Sequence, residues 1–310
     1  METYFGHREF KSDKPVLTLG IFDGVHRGHR ALLNSVTNKA RSLGTDSVVM
    51  TFDPHPRIVL SGNGGSLRFL SSLDEKLGLI EEAGIDKLIV IPFFIELSKM
   101  EACDFVKKYL VDIIGVGHLI MGFDHHFGYR GYGDAATITE YAARYSFGVE
   151  RMKALKEKDE VISSTLIREL ITEGELEKAN SLLGYPYLLK GKVIQGKKIG
   201  RMLGYPTANI ESDYPYKLIP ADGVYAVEVV LGSSHFKAML YIGPRSTIEG
   251  DSGKRTVEVN IFDFEDDIYE KDITVRFIHR LRGDRKFGSK GDLLKQIDKD
   301  KAEALRLLSL

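Results

Sequence analysis

The sequence predicts a parallel α/β sheet unit followed by a small antiparallel β-barrel with a C-terminal helix. Three observations predict it. Strands and amphipathic helices alternate up to Leu183; helices then vanish and short strands separated by Gly, Pro, Asn and Asp turns take over; a last amphipathic stretch spans Lys290–Leu307. At 310 residues the chain exceeds what most single hydrophobic cores hold. Two domains are therefore expected, 1–184 and 185–310, with Gly184-Tyr185-Pro186-Tyr187 as the linker.

The first half opens with strand Pro15–Ile21, then helix Gly28–Leu43 ending at Gly44, then strand Ser47–Phe52. Helix Leu73–Ala83, strand Lys87–Pro92, helix Met100–Ile114 and strand His118–Gly122 continue the alternation. Helix Asp134–Tyr145, a short strand near Val149–Leu155, and helices Ser164–Thr172 and Leu176–Leu183 complete it. Strands joined by helices of this length form a mostly parallel sheet, whose ligands bind beyond the carboxyl ends of the strands. In the second half, Lys192–Gln195, Gly223–Val230, His235–Ile242, Thr256–Phe264 and Ile273–Leu281 have strand composition, and their spacing predicts a small closed barrel.

Composition removes several classes. Forty-three basic against 44 acidic side chains argue against a surface built for nucleic acid. No apolar run approaches the ~20 residues of a membrane span, and Met1–Lys14 lacks the apolar centre of a secretory signal. Cys103 is the only cysteine, which excludes an intrachain disulfide and favours a reducing, cytoplasmic setting. Cys103 itself is expected as a small core residue of its helix. Self-association is left open by the sequence.

Chemistry concentrates in two places. Gly20-Ile21-Phe22-Asp23-Gly24-Val25-His26-Arg27-Gly28-His29 joins a strand to a helix. Glycines there let backbone approach a phosphate, the helix N-terminus offers free N–H groups, and two histidines add donors where charge grows on phosphorus. Surface histidines or metal ligands are the alternative, although acidic or cysteine partners at ligand spacing are lacking. Ser163-Ser164-Thr165-Leu166-Ile167-Arg168 opens a later helix with hydroxyls in capping positions, and alone reads as an N-cap with a surface arginine. In the second half, Gly191–Lys198 almost fits the P-loop pattern, but Lys198 stands where a hydroxyl is required, and its flanks read as strand and turn.

Together the HxGH loop and the Ser-Ser-Thr-Leu-Ile-Arg helix start resemble the nucleotidylyltransferase superfamily, whose first domain is Rossmann-like. Thr51-Phe52-Asp53-Pro54-His55-Pro56, Gly122-Phe123-Asp124-His125-His126-Phe127-Gly128 and Leu182–Tyr187 narrow the likeness to bacterial bifunctional riboflavin kinase/FAD synthetases. That resemblance implies that His26, Gly28, His29, Ser164, Thr165 and Arg168 hold the triphosphate of ATP, with Asp23 and Gly24 beside it and His26 and His29 acting in catalysis. His55, Pro56 and Phe127 would face the flavin. The family usually carries Phe-Arg where His125-His126 stands, and those two histidines receive no role.

Gly191, Val193 and Gly196, followed by Gly200-Arg201-Met202-Leu203-Gly204-Tyr205-Pro206-Thr207-Ala208-Asn209, resemble the riboflavin kinase domain of the same family. The likeness implies that Gly191, Gly196, Lys197 and Gly200 cover the ATP phosphates while Thr207 and Asn209 hold Mg2+. In Thr256–Phe264, strand alternation puts Glu258 and Asn260 on one face, and the resemblance makes Glu258 the general base. Leu281-Arg282-Gly283-Asp284 resembles the flavin-side segment, with Arg282 against the ring system; a basic loop capping the last helix is the alternative.

The resemblance thus implies two activities: riboflavin and ATP to FMN and ADP in the second domain, then FMN and ATP to FAD and diphosphate in the first. The rivals are a chain retaining only one activity, or a flavin-binding or flavin-sensing protein on an inactive scaffold.

Overall fold

The computed structural model describes residues 1–61, 67–123, 128, 135–157, 160–195, 204–244 and 255–309. They divide into two compact units, Met1–Ser164 and Thr165–Leu310.

The first unit is built on six parallel strands: β1 (Glu2–Phe5), β2 (Val16–Leu19), β3 (Ser47–Asp53), β4 (Lys87–Pro92), β5 (His118–Met121) and β6 (Gly148–Arg151), in the order β1-β4-β3-β2-β5-β6. All of β2 and the first five residues of β3 are buried, as expected for strands covered on both faces. Helices α1 (Arg27–Leu43), α2 (Pro56–Ser61), α3 (Leu73–Glu82), α4 (Ile95–Ser98), α5 (Ala102–Phe105) and α6 (Ala135–Tyr145) connect them. Helix α5 runs on as a π-helical stretch, Val106–Ile113. A hairpin, β7 (Lys156–Glu157) with β8 (Glu160–Val161), follows β6. Strands β3 and β4 extend the sheet to one side of β2, and β5 and β6 to the other. The carboxyl end of β2 is therefore a topological switch point, the place where such sheets bind ligands.

Sequence reasoning missed β1 because its four residues, Glu2-Thr3-Tyr4-Phe5, form no buried apolar run: the outer two are exposed and the inner two half-buried, as suits an edge strand rather than a core one. Cys103 corrects the expectation of a core thiol: it is exposed, with Sγ 3.8 Å from the Asp104 carboxylate. The buried stripe of its helical stretch is Ala102, Phe105, Val106, Tyr109 and Leu110, and Cys103 falls off that stripe.

The second unit begins with the body of α7 (Ser164–Glu173) and α8 (Leu176–Leu183). Six antiparallel strands then close into a barrel: β9 (Tyr187–Ile194), β10 (Ala208–Glu211), β11 (Gly223–Leu231), β12 (Ser234–Pro244), β13 (Arg255–Ile261) and β14 (Asp272–Gly283), ordered β10-β13-β12-β11-β14-β9. Strand β9 alternates buried and accessible residues and starts five residues before the expected Lys192. Helix α9 (Lys290–Leu307) covers one side, setting Ala304 against Ala226, Met239 and Phe262.

The linker boundary shifts. Tyr187 is no linker residue: it starts β9, is 1% exposed, and its hydroxyl donates to the Leu218 carbonyl at 2.7 Å. Gly184 does end α8, in the left-handed region at φ 82°, so the turn-like signal belonged to the residues just before the strand. Strand β10 went unpredicted because its four residues include the Ala208-Asn209 pair, which has no strand propensity of its own.

Candidate functional sites

In the first unit the chain leaves β2 through a loop that only dense anchoring can hold. Phe22, Gly24 and Val25 have φ of 52°, 77° and 34°, which for a β-branched valine is strongly disfavoured. Asp23, 5% exposed, is the anchor. Its Oδ1 accepts the Leu70 and Ser71 amides at 2.8 and 3.1 Å, while Ser71 Oγ accepts the Gly24 amide at 3.0 Å. Ser164 adds a clasp from the other end of the unit, its hydroxyl donating to the Asp23 carbonyl at 2.9 Å. The structure thus brings Asp23, Gly24 and Ser164 together, with the Asp23 carboxylate turned into the scaffold.

The two histidines are locked next. His26 is the N-cap of α1, its Nδ1 accepting the His29 amide at 3.3 Å. The His26 and His29 rings stack at 3.6 Å and 16°, and Phe22 meets His29 edge-on at 5.3 Å. Gly28 leaves room for this stack: a Cβ there would lie 3.1 Å from the His26 ring and press on it. Burial lowers the His26 imidazole to about 4, consistent with an Nδ1 that must keep its lone pair to cap the helix. His29 is lowered further below its ordinary value, by burial first and then by the neighbouring His26 and Lys76. Its Nδ1 is buried with no hydrogen-bond partner among the described residues.

After β3, His55 Nδ1 accepts the Arg57 amide at 3.0 Å and its ring stacks on Phe69 at 4.0 Å. Pro56 opens α2. Phe127, like His125 and His126, lies outside the described residues. Sequence reasoning passed over Lys76, a lysine 5% exposed on α3. Burial lowers its ammonium while Asp23 and Asp53 oppose the shift. The available signal was its place on the apolar face of α3, ahead of the buried Leu79 and Ile80.

In the second unit, α7 carries Thr165 and Arg168, and the Arg168 guanidinium donates to Thr165 Oγ1 at 3.2 Å. Across the barrel wall, Asn209 of β10, Glu258 of β13 and Tyr241 of β12 stand side by side in register. Thr207 donates to Glu258 Oε2 at 3.2 Å, and Thr256 lies 3.1 Å from Asn209 Oδ1 and 3.4 Å from Glu258 Oε1. The sequence-predicted trio of Thr207, Asn209 and Glu258 is therefore one hydrogen-bonded cluster, and Thr256 is the member that motif reasoning left without a role. Asn260 donates to the Pro206 carbonyl at 2.6 Å, fixing the turn that presents Thr207.

A cavity of about 550 Å³ adjoins Thr207, walled on the apolar side by Val193, Pro206, Ile261 and Phe264 and elsewhere by Glu265, Asp266 and Asp267. A larger hollow of about 800 Å³, at the ends of β1 and β4, is lined by none of the predicted site residues. Gly191 lies in β9, where a Cβ would meet the Glu211 carbonyl oxygen at 2.2 Å, so its bareness lets β9 and β10 pair closely. Gly196, Lys197 and Gly200 lie outside the described residues. Arg282 is committed to α9: its Nε and Nη2 donate to Asp300 Oδ2 at 3.0 and 2.8 Å, and its guanidinium lies 5.6 Å from the Phe287 ring centroid.

A glycine–histidine loop at a parallel sheet's switch point, followed by a closed barrel bearing a hydroxyl-flanked carboxylate, defines a nucleotide-dependent transferase with two sites. Residues 9–166 match the FAD synthetase family and residues 183–308 the riboflavin kinase family. The bifunctional riboflavin kinase/FMN adenylyltransferase of Listeria monocytogenes is 38% identical over 310 residues, covering 98% of this chain and 97% of that protein. The Bacillus subtilis enzyme of the same description is 36% identical over 297 residues, with 96% and 93% covered. The chain belongs to the bifunctional riboflavin kinase/FMN adenylyltransferase family.

A solved structure described as a macrolide-efflux protein from Streptococcus pneumoniae has the same fold, with a TM-score of 0.86 at 29% identity over 97% of this chain and 98% of that one. No helix among the described residues of the present chain is long and apolar enough to cross a membrane.

Proposed function

We propose that this chain makes FMN from riboflavin in its barrel and FAD from FMN at its α/β loop, with the functional boundary at residues 184 and 185. The single observation that carries the reading is the coexistence of two intact, separately anchored sites: the His26–His29 stack and the Thr207–Glu258–Asn209 cluster.

In the barrel, Glu258 takes the proton of the riboflavin 5′-hydroxyl as its oxygen attacks the γ-phosphorus of ATP. The new O–P bond replaces the bond to the bridging oxygen, and ADP leaves. Thr207 and Thr256 aim the carboxylate. The apolar part of the cavity beside Thr207, formed by Val193, Pro206, Ile261 and Phe264, suits an adenine ring, and Glu265, Asp266 and Asp267 line the rest. Thr207 Oγ1 and Asn209 Oδ1 are hard oxygen donors beside a carboxylate, a set that fits Mg2+. When bound, that ion neutralises charge on the ATP phosphates.

In the α/β unit, an FMN phosphate oxygen attacks the α-phosphorus of ATP and diphosphate leaves. The acceptor is already a competent nucleophile, so the work is alignment and charge stabilisation. Neutral His26 and His29 serve as hydrogen-bond donors on the anchored loop, with Ser164 tying that loop to its unit. His55 and Pro56 form the flavin side. The assignments of Thr165, Arg168 and Arg282 rest on the sequence resemblance. The exposed free thiol of Cys103 suits a reducing compartment.

The test is product analysis of the intact protein with riboflavin, ATP and Mg2+. FMN and FAD should both form. Release of FMN alone would leave only the kinase half of the reading standing, and tight flavin binding with no ATP consumed would favour a sensing role.

A further inference from the structure

Lys76 occupies a position that scaffold chemistry alone does not explain. The start of α3 is fixed twice. Ser72 and Glu75 form a reciprocal capping box, and the Leu70 and Ser71 amides just before it donate to Asp23. Lys76, one turn in, is thereby held in place at 5% exposure. Among the described residues its ammonium makes no hydrogen bond and no ion pair, although Asp23, Asp53 and His29 all lie within its electrostatic reach.

Neither acid neutralises it by contact. Asp23 Oδ1 is taken up by the Leu70 and Ser71 amides, and burial pushes Asp53 toward its uncharged form. A desolvated cation without a contact anion is costly, and the cost is offset when an anion enters. The substrates of this unit are polyanions, and the helix start and the His26–His29 loop bound the same end of the sheet.

We propose that Lys76 is a phosphate-contacting residue of the adenylyl-transfer site, its ammonium meeting a phosphate oxygen of ATP or of FMN. The inference rests on the adenylyltransferase reading of this unit. As the FMN oxygen bonds to the α-phosphorus, the bond to the diphosphate oxygen breaks and its electron pair leaves with diphosphate. Lys76 keeps its proton throughout and supplies positive charge from a site that needs no solvent reorganisation.

Lys76→Met and Lys76→Arg test this in the full-length protein, with FAD formation from supplied FMN measured while ATP and FMN are varied in turn. The methionine variant should lose at least 100-fold in kcat/KM, and the arginine variant should recover at least tenfold of it. A rise in KM for ATP and in the diphosphate inhibition constant, with KM for FMN unchanged, assigns the contact to ATP. The converse assigns it to FMN. FMN formation from riboflavin, run in parallel, should stay within twofold and reports that the chain is folded.

Kinetic constants of Lys76→Met within threefold of wild type would overturn the proposal. So would a fall in kcat with both KM values unchanged and no rescue by arginine. Should the methionine variant fail to fold, Lys76→Gln takes its place with the same expected split; failure of both to fold, with arginine no better, means a structural role and also overturns it. Wild-type protein that makes no FAD would instead count against the adenylyltransferase reading itself.

Discussion

Thr207 Oγ1 donates to Glu258 Oε2 at 3.2 Å, joining a loop residue before β10 to the proposed base on β13, 51 positions later. Thr256 flanks the other carboxylate oxygen at 3.4 Å and reaches Asn209 at 3.1 Å. The base is thus oriented by two hydroxyls before any substrate arrives. Replacing Thr256 by Val removes one of them at nearly constant volume. We expect about a tenfold fall in kcat for FMN formation, with FAD formation from supplied FMN unchanged and Thr256→Ser restoring most of the loss. Equal losses in both reactions would point to general destabilisation instead.

Gly28→Ala places a methyl 3.1 Å from the His26 ring. The His26–His29 stack must then shift by a few tenths of an ångström. Adenylyl transfer should fall roughly 10- to 100-fold, as misplacement of aligned groups does, while FMN formation persists. Steady-state assays of the two reactions on the same preparation decide it.

His26 gives the α/β unit a defined acid response. Its folded value, about 4, lies below the ordinary 6.5, so between those values the unfolded chain binds the proton more strongly. Stability from this group is therefore fully present above pH 6.5 and is lost as pH falls through the window down to 4. The gap between those two values corresponds to roughly 3–4 kcal/mol at about 1.4 kcal/mol per pH unit. His26→Asn keeps a capping side chain but does not titrate. Thermal unfolding should show a shallower loss between pH 6.5 and 4 in that variant than in wild type; parallel curves would remove His26 as the cause.

Asp300 is 5% exposed and holds both Arg282 and Gln296, the latter donating at 2.8 Å. Asp300→Ala leaves Arg282, whose side chain is 19% exposed, without its carboxylate. Loss of one partner of a largely buried pair costs about 3 kcal/mol, which chemical denaturation of the barrel unit would register. If Arg282 also meets the flavin, KM for riboflavin should rise in the same variant.

The sheet and the barrel were legible because their patterns are strong: continuous apolar runs at β2 and β3, and stretches of strand composition at β11 and β14. The motif residues came together in space as their order implied, Ser164 onto Asp23 and Thr207 onto Glu258. What stayed hidden depended on contacts distant in sequence. Edge strand β1 exists because β4 offers it a partner, Tyr187 is a strand residue because Phe277 of β14 pairs with it, and Gly191 is bare because Glu211 crosses it. Lys76 was visible only as a charged residue on an apolar helix face, a pattern whose meaning required knowing that Asp23, in the loop after β2, and Asp53, at the end of β3, lie within its electrostatic reach.

The central claim, two different phosphorus transfers by separate sites on one chain, is tested most directly by where the phosphorus of ATP goes. Intact protein should transfer label from [γ-32P]ATP into FMN and FAD when given riboflavin, and label from [α-32P]ATP only into FAD. Glu258→Ala should abolish γ-label transfer to riboflavin yet keep α-label transfer to supplied FMN, and His29→Ala should do the reverse. Loss of both transfers in either folded variant, or α-label that never reaches flavin in the wild type, would contradict it.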